Sequence, residues 1–149
     1  MVMPRGGNAT PGTMGKLVNS EFSPYPSAMP DEPQTFSTYY LVRHQDLNHA
    51  GTLFGGRMMA WADELAYIAA SLSYPGCTFV TKVFEQFDFI NGPSEGAIIR
   101  IDAKVLSKGR SSVRVQVSGF WALTGQTIFT TQGVMVNAHG GHSVPIPTI

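Results

Sequence analysis

Two adjacent carboxylates, Asp63 and Glu64, lie in a run from Gly55 to Ala70 that is otherwise almost wholly apolar. Burying a carboxylate costs several kcal/mol unless it is paired or used, so acids placed there need a partner or a task. The Gly55-Gly56 pair opens this run, and a helix N-terminus offers free backbone N–H groups and the positive end of the helix dipole. An acid or base near such donors is the outline of an acyl-transfer site. Asn48 lies just upstream, and its amide could hold a water or a carbonyl group. Taken alone it also reads as a turn residue, because Asn bonds readily to its own local backbone. Stepping by three and four along a helix puts Glu64 with Arg57, Trp61 and Ile68, a rim suited to a structural or interface ion pair. Asp63 is then the acid expected to do the chemistry. Its plainer alternatives are to cap a backbone group or to pair with a basic residue.

The elements that must position these residues follow from the periodicity. Met58, Ala62, Leu65, Ala69 and Leu72 mark one face of a helix over Gly56–Tyr74, widened by Met59, Ala66 and Ala70, and Pro75-Gly76 stops it. A first strand is expected over Ser37–Arg43. Four more follow the helix, at Phe79–Ile90, Ile98–Leu106, Ser112–Trp121 and Ile128–Asn137. In the first of the four, Val83, Glu85, Phe87 and Phe89 are expected to share one side. The joins at Lys108-Gly109-Arg110 and Thr124-Gly125 suit antiparallel hairpins, so these four strands read as a meander. One apolar helix ahead of an antiparallel sheet is an α+β layout in which the sheet wraps the helix. Residues 1–36 hold Pro4, Pro11, Pro24, Pro26, Pro30 and Pro33 and read as an irregular tail, as do the residues after Ala138.

Composition narrows the function classes. At 149 residues the chain suits one domain with a real core. Charged residues make up only 13% and the formal net charge is zero, which argues against non-specific nucleic-acid binding. A neutral, moderately apolar surface points towards self-association. The single cysteine, Cys77, excludes an intrachain disulfide framework and any multi-cysteine metal site. No stretch approaches the ~20 apolar residues needed to span a bilayer, and the N-terminus lacks the apolar core of a secretory signal. The expected location is cytoplasmic, without a membrane partner.

The order of elements, with Asn48-x-x-Gly51-x-x-x-Gly55-Gly56 and Asp63 further along the helix, resembles the hotdog-fold acyl-CoA thioesterases over about residues 37–137. Leu53-Phe54-Gly55-Gly56 and Lys108-Gly109-Arg110-Ser111-Ser112 are most similar to the acyl-CoA hydrolase branch that includes the YciA-type bacterial enzymes. With the tails read from composition, the chain is expected to divide into a Pro/Gly-rich tail (1–36), a hotdog domain (37–138) and a C-terminal tail (139–149). It implies that Asp63 is the catalytic acid, as general base on water or as direct nucleophile. Asn48 would hold the water or orient substrate, and an N–H at Gly55 or Gly56 would polarise the thioester carbonyl. The active site would lie at a homodimer interface, Asn48 of one subunit facing Asp63 of the other, with tetramers or hexamers possible above it. The reaction would release a free acid and coenzyme A, needing neither metal nor dissociable cofactor.

Physical chemistry is consistent with that allocation. Glycine lets backbone approach a carbonyl without a Cβ in the way, and a carboxylate is ionised at neutral pH. No Gly-x-Ser-x-Gly motif is present, which favours the simpler mechanism. Gly109, Arg110 and Ser111 are either a plain hairpin turn or contacts for coenzyme A phosphates, with Lys108 and Lys82 as weaker basic candidates. Phe54 is placed with the substrate-binding residues, and where some relatives have a histidine it speaks against a hydratase or dehydratase reaction. Phe84, Phe87 and Phe89 could line an acyl tunnel, although such a stripe is more often core or interface. His44 and His49 flank the loop, yet the resemblance does not call on them. His139 and His142 alone make a poor metal site. The competing class is an acyl-CoA-binding sensor that does not turn over, though no DNA-binding segment accompanies the domain.

Overall fold

The computed structural model describes residues 33–148. The expected N-terminal tail therefore lies, up to residue 32, outside the described residues. The elements are β1 (Thr35–Leu41), a 3-10 turn (His44–Asp46), α1 (Gly55–Ser73), β2 (Phe79–Phe89), β3 (Ile98–Lys108), β4 (Ser112–Trp121), β5 (Thr127–His139) and β6 (His142–Ser143). Strand periodicity carries straight into burial: Ile99, Ile101 and Ala103 on β3 and Val113, Val115 and Val117 on β4 point inward, alternating with half-buried polar partners. Each such Ile or Val adds about 1.5–3 kcal/mol by leaving water. The helix lays Met58, Trp61, Ala62, Leu65, Ala66, Ala69 and Ala70 on this face. Four of these are alanines, and their small side chains let α1 lie close against the sheet. The result is the expected α+β hotdog fold, a curved antiparallel sheet around one long helix.

Three expectations need correction. The four strands after the helix are not one meander. β3, β4 and β5 are, but β2 bonds to β5, giving the order β1-β3-β4-β5-β2. The segment Ile90–Ala97 crosses the end of the sheet to reach β3, held by the Leu53 N–H donating to the Pro93 carbonyl at 2.8 Å. Nor do Val83, Glu85, Phe87 and Phe89 share one side of β2. Register shifts at Thr81/Val83 and Glu85/Asp88, with Gln86 at φ 46°, break the period of two. Phe84 and Phe87 consequently pack on the core, and Phe87 stacks between Phe129 (5.1 Å) and Phe89 (4.7 Å). Finally, Trp61 is buried against Tyr40, ring centroids 4.4 Å apart, while Met59 and Leu72 are exposed. The helix is rotated so that its Met59–Asp63 flank stays open.

The C-terminal residues fold back as a strap rather than hanging free. β6 pairs with the end of β5 through Ala138 and His139, and Ile146 is buried. Among the described residues no helix is long and apolar enough to cross a membrane.

Candidate active site

Asp46, a residue the motif reading passed over, builds the loop before the helix. Its buried carboxylate accepts the Arg43 N–H at 2.9 Å and faces the Arg57 Nε at 3.1 Å. Its carbonyl accepts the N–H of Phe54 at 2.8 Å. One residue thus ties the 3-10 turn to the first turn of α1 and closes the loop between them. Inside that loop the Asn48 Oδ1 accepts the N–H groups of Ala50 (2.9 Å) and Thr52 (3.1 Å), and its Nδ2 donates to the Thr52 hydroxyl at 3.0 Å. The turn role of Asn48 is therefore real, although one Nδ2 proton remains to be donated. Asn48 lines a cavity of about 260 Å³ with Thr52, Gly55, Met58, Phe89 and Asn91.

The helix start has no side-chain cap. The Arg57 and Met58 N–H groups turn back to the Phe54 carbonyl, leaving those of Gly55 and Gly56 with no acceptor among the described residues. Both glycines also serve packing. A Cβ on Gly56 would sit 2.5 Å from the half-exposed Phe54 ring, and one on Gly55 would sit 3.1 Å from Phe89.

Asp63 stands on the open flank of α1, so the burial cost expected for it does not arise in the single subunit. Its carboxylate accepts a hydrogen bond from the Thr81 hydroxyl on β2. Gly56, Met59, Ala60, Asp63, Thr81 and Phe84 surround a largely apolar, open cavity of about 440 Å³. Thr81 is the second residue missed by the sequence reading. Nothing local marks it, because the contact exists only when β2 lies along the helix. Glu64 is also exposed, but the expected ion pair is absent among the described residues. It faces the Tyr40 hydroxyl instead. Burial, and then the Glu64 charge and hydrogen bond, push Tyr40 above the ordinary tyrosine range.

Lys108, Gly109, Arg110 and Ser111 form the β3–β4 hairpin turn, closed by the Gly109 N–H donating to the Ser112 carbonyl at 2.7 Å. One transverse row of pairs runs Thr81–Met135–Val113–Lys108. Two strand spacings, about 10 Å, separate Thr81 from Val113, and the third reaches Lys108. The turn and the Asp63–Thr81 pair therefore share one end of the sheet. Asn48 and Gly55 line a different cavity of the same subunit. His44 faces Glu95 at 3.7 Å on the surface, His139 and His142 pair across the β5–β6 turn, and Cys77 is half-buried.

A family model described as the thioesterase superfamily matches residues 50–128. Comparison with curated proteins finds no match. Among solved structures, an acyl-CoA hydrolase from Staphylococcus aureus, in complex with butyryl coenzyme A, coenzyme A and coenzyme A disulfide, is 29% identical with a TM-score of 0.68, covering 76% of this chain and 69% of its own. Alanine variants of that hydrolase at an asparagine, a threonine and an aspartate are also similar. An apo-hexameric acyl-CoA thioesterase is 29% identical with a TM-score of 0.67, covering 76% and 75%. Zebra fish thioesterase superfamily member 2, at 24% identity and a TM-score of 0.66 over 74% and 79%, shares the fold. With Gly51 to Gly56, the helix and β2 to β4 inside the matched span, the chain belongs to the thioesterase superfamily and is a thioester hydrolase.

Proposed function

We propose that the chain hydrolyses an acyl-CoA thioester to a free acid and coenzyme A, as a member of the branch that includes the YciA-type enzymes. The observation that carries this reading is the Asp63–Thr81 pair in an open apolar cavity, at the same end of the sheet as the Lys108–Ser111 turn. Asp63 takes a proton from water as the water oxygen attacks the thioester carbon. The C–S bond then breaks, and coenzyme A leaves as a thiolate that regains a proton. The residue types varied in the Staphylococcus aureus hydrolase, an asparagine, a threonine and an aspartate, are the types present here at Asn48, Thr81 and Asp63.

Oxyanion donors come from the free N–H groups of Gly55 or Gly56 and the remaining Asn48 Nδ2 proton. Eight residues of helix rise separate Gly55 from Asp63, about 12 Å along the axis, too far for both to address one carbonyl. A two-fold dimer resolves this by presenting the Asn48 loop of one subunit to Asp63 of the other, making two equal sites. β2 is an edge strand with exposed Val80 and Val83, and it runs beside exposed Met59 and Tyr67 on α1, which suits such an interface. Such dimers could build a tetramer or hexamer. Water suffices for the reaction, so neither metal nor dissociable cofactor is called for. In a test that follows thiol release over acyl-CoAs of varied length, Asp63→Asn should fold and assemble but lose turnover by orders of magnitude. Near-native turnover in that variant would overturn the assignment. A wild-type protein that binds acyl-CoA without releasing thiol would instead be the sensor.

A further inference from the structure

Two aromatic rings take the side-chain places at the start of α1. The Phe54 ring fills the space beside Gly56, and the Phe89 ring lies 3.1 Å from where a Cβ on Gly55 would stand. Successive residues of a helix point about 100° apart, so the rings stand on two sides of the free Gly55 and Gly56 N–H groups. Both rings are about half exposed and border whatever those N–H groups bind. Phe54 is held through its backbone, its N–H donating to the Asp46 carbonyl at 2.8 Å. Phe89 is held through its ring. It stacks on Phe87 at 4.7 Å, and Phe87 stacks on the fully buried Phe129 at 5.1 Å. Phe129 pairs with Gly119 on β4, where the missing Cβ makes room for the Phe129 ring. A column of three rings therefore runs from β4 to the helix start, with a glycine at each end. Shifting Phe89 would open that column, so its ring is a fixed wall beside the proposed donors.

We propose that Phe89 is a specificity-determining residue, restricting the site to acyl groups that are unbranched at the α-carbon. The proposal rests on the acyl-CoA reading and narrows its substrate class. A carbonyl oxygen accepting either N–H lies ~2.9 Å from the nitrogen, and its carbon and both substituents follow directly. One substituent of a thioester is sulfur, whose next atom is an unbranched CH2 in every coenzyme A ester. The other is the acyl α-carbon, the one atom here whose branching differs between substrates. Its chain has an outlet in the cavity that Phe89 lines with Asn48, Leu53 and Met58. Its two remaining positions face the rings. Hydrogens fit there, whereas methyl groups press on a ring that cannot retreat without breaking the column. Overpacking of this kind lowers kcat/KM by about ten- to a hundredfold. Branches farther out lie past the rings, inside the cavity.

The test follows thiol release from two isomers, 2,2-dimethylbutyryl-CoA and 3,3-dimethylbutyryl-CoA, or the same pair built on whichever chain length is hydrolysed fastest. They contain the same atoms and differ only in where the methyl groups sit. Each kcat/KM is divided by the rate at which hydroxide cleaves the same thioester, which removes intrinsic reactivity. In the wild-type protein the corrected value should be about tenfold or more lower for the 2,2-dimethyl isomer. Phe89→Ala should bring the two isomers to within about threefold of each other. Phe89→Leu, which leaves an apolar side chain against Phe87, should fall between and serves if the alanine variant does not fold. Both rates come from one preparation, so any loss of folded protein cancels from the ratio, and a merely structural role would leave that ratio unchanged. Equal corrected values in the wild type, or folded variants that keep the wild-type ratio, would each overturn the proposal. A protein that hydrolyses both isomers alike loses only this inference, whereas one that hydrolyses no acyl-CoA of any length loses the acyl-CoA reading with it.

Discussion

Replacing Thr81 by valine isolates the contact that holds the proposed base. Valine keeps the shape and the strand preference of threonine and removes only the hydroxyl, which donates to Asp63 and has the Met135 Sδ 3.5 Å away as its other neighbour. Thr81 is exposed on an edge strand, so no buried group is orphaned and folding stability should hold. A hydrogen bond to a charged acceptor contributes about 1.5–3 kcal/mol, and exposure of this pair places it at the lower end. At about 1.4 kcal/mol per factor of ten, kcat should fall roughly 10- to 30-fold, with a smaller change in KM. Thr81→Ser should restore most of the loss. In an Asp63→Asn background the same Thr81→Val change should cost less than about twofold, because the group it positions is already gone. Release of free thiol, followed with a thiol-reactive chromogen, measures the four variants against the wild type. Wild-type kcat in Thr81→Val, or an equal penalty in both backgrounds, would refute a positioning role.

Two further outcomes follow from residues around the site. Asp46→Asn should lower stability by about 1–3 kcal/mol in urea unfolding, since Arg57 is partly exposed and water replaces some of the lost pairing. The same variant should lower kcat by loosening the Asn48 loop, and a variant with full activity would dissociate the clamp from catalysis. Burial, then Glu64, raises Tyr40 above the ordinary tyrosine value of 10.0, so the folded state favours the neutral phenol. That contribution is fully present below pH 10 and disappears as the pH climbs through the folded-state value. Tyr40→Phe should therefore flatten the alkaline fall in melting temperature, and an unaltered profile would remove Tyr40 as its source.

The legible part of the sequence is local. The helix, the inward valines of β4 and the hairpin at Gly109 follow from side-chain period and turn chemistry, which neighbours in sequence decide. The position of β2 could not be read that way. Its own period is broken twice by bulges, and hairpin economy favours pairing with β3, yet it lies at the far edge on β5. That single long-range choice creates the Thr81–Asp63 contact, so an error about the strand carried an error about the site. Asp46 was legible in principle, because a buried acid eleven residues before an arginine at a helix start has little else to pair with.

The same limit explains the most informative disagreement, the exposure of Asp63. A carboxylate inside an apolar stretch suggested burial, and one subunit leaves it open beside Met59, Tyr67 and the free edge of β2. The apolar residues around it are therefore more numerous than the subunit's own core requires. Met58, Leu65 and the alanines fill the sheet, whereas Met59, Ala60 and Tyr67 have no counterpart within the described residues. An isologous partner covering this flank would exclude water from Asp63 and bring a second Asn48 loop with its free N–H donors. The desolvation cost absent from the single chain would then appear on association, with water excluded from around the carboxylate. In the proposed dimer, assembly and catalysis would be coupled: Met59 and Tyr67 would contribute to the pairing free energy, and the reactivity proposed for Asp63 would depend on that pairing.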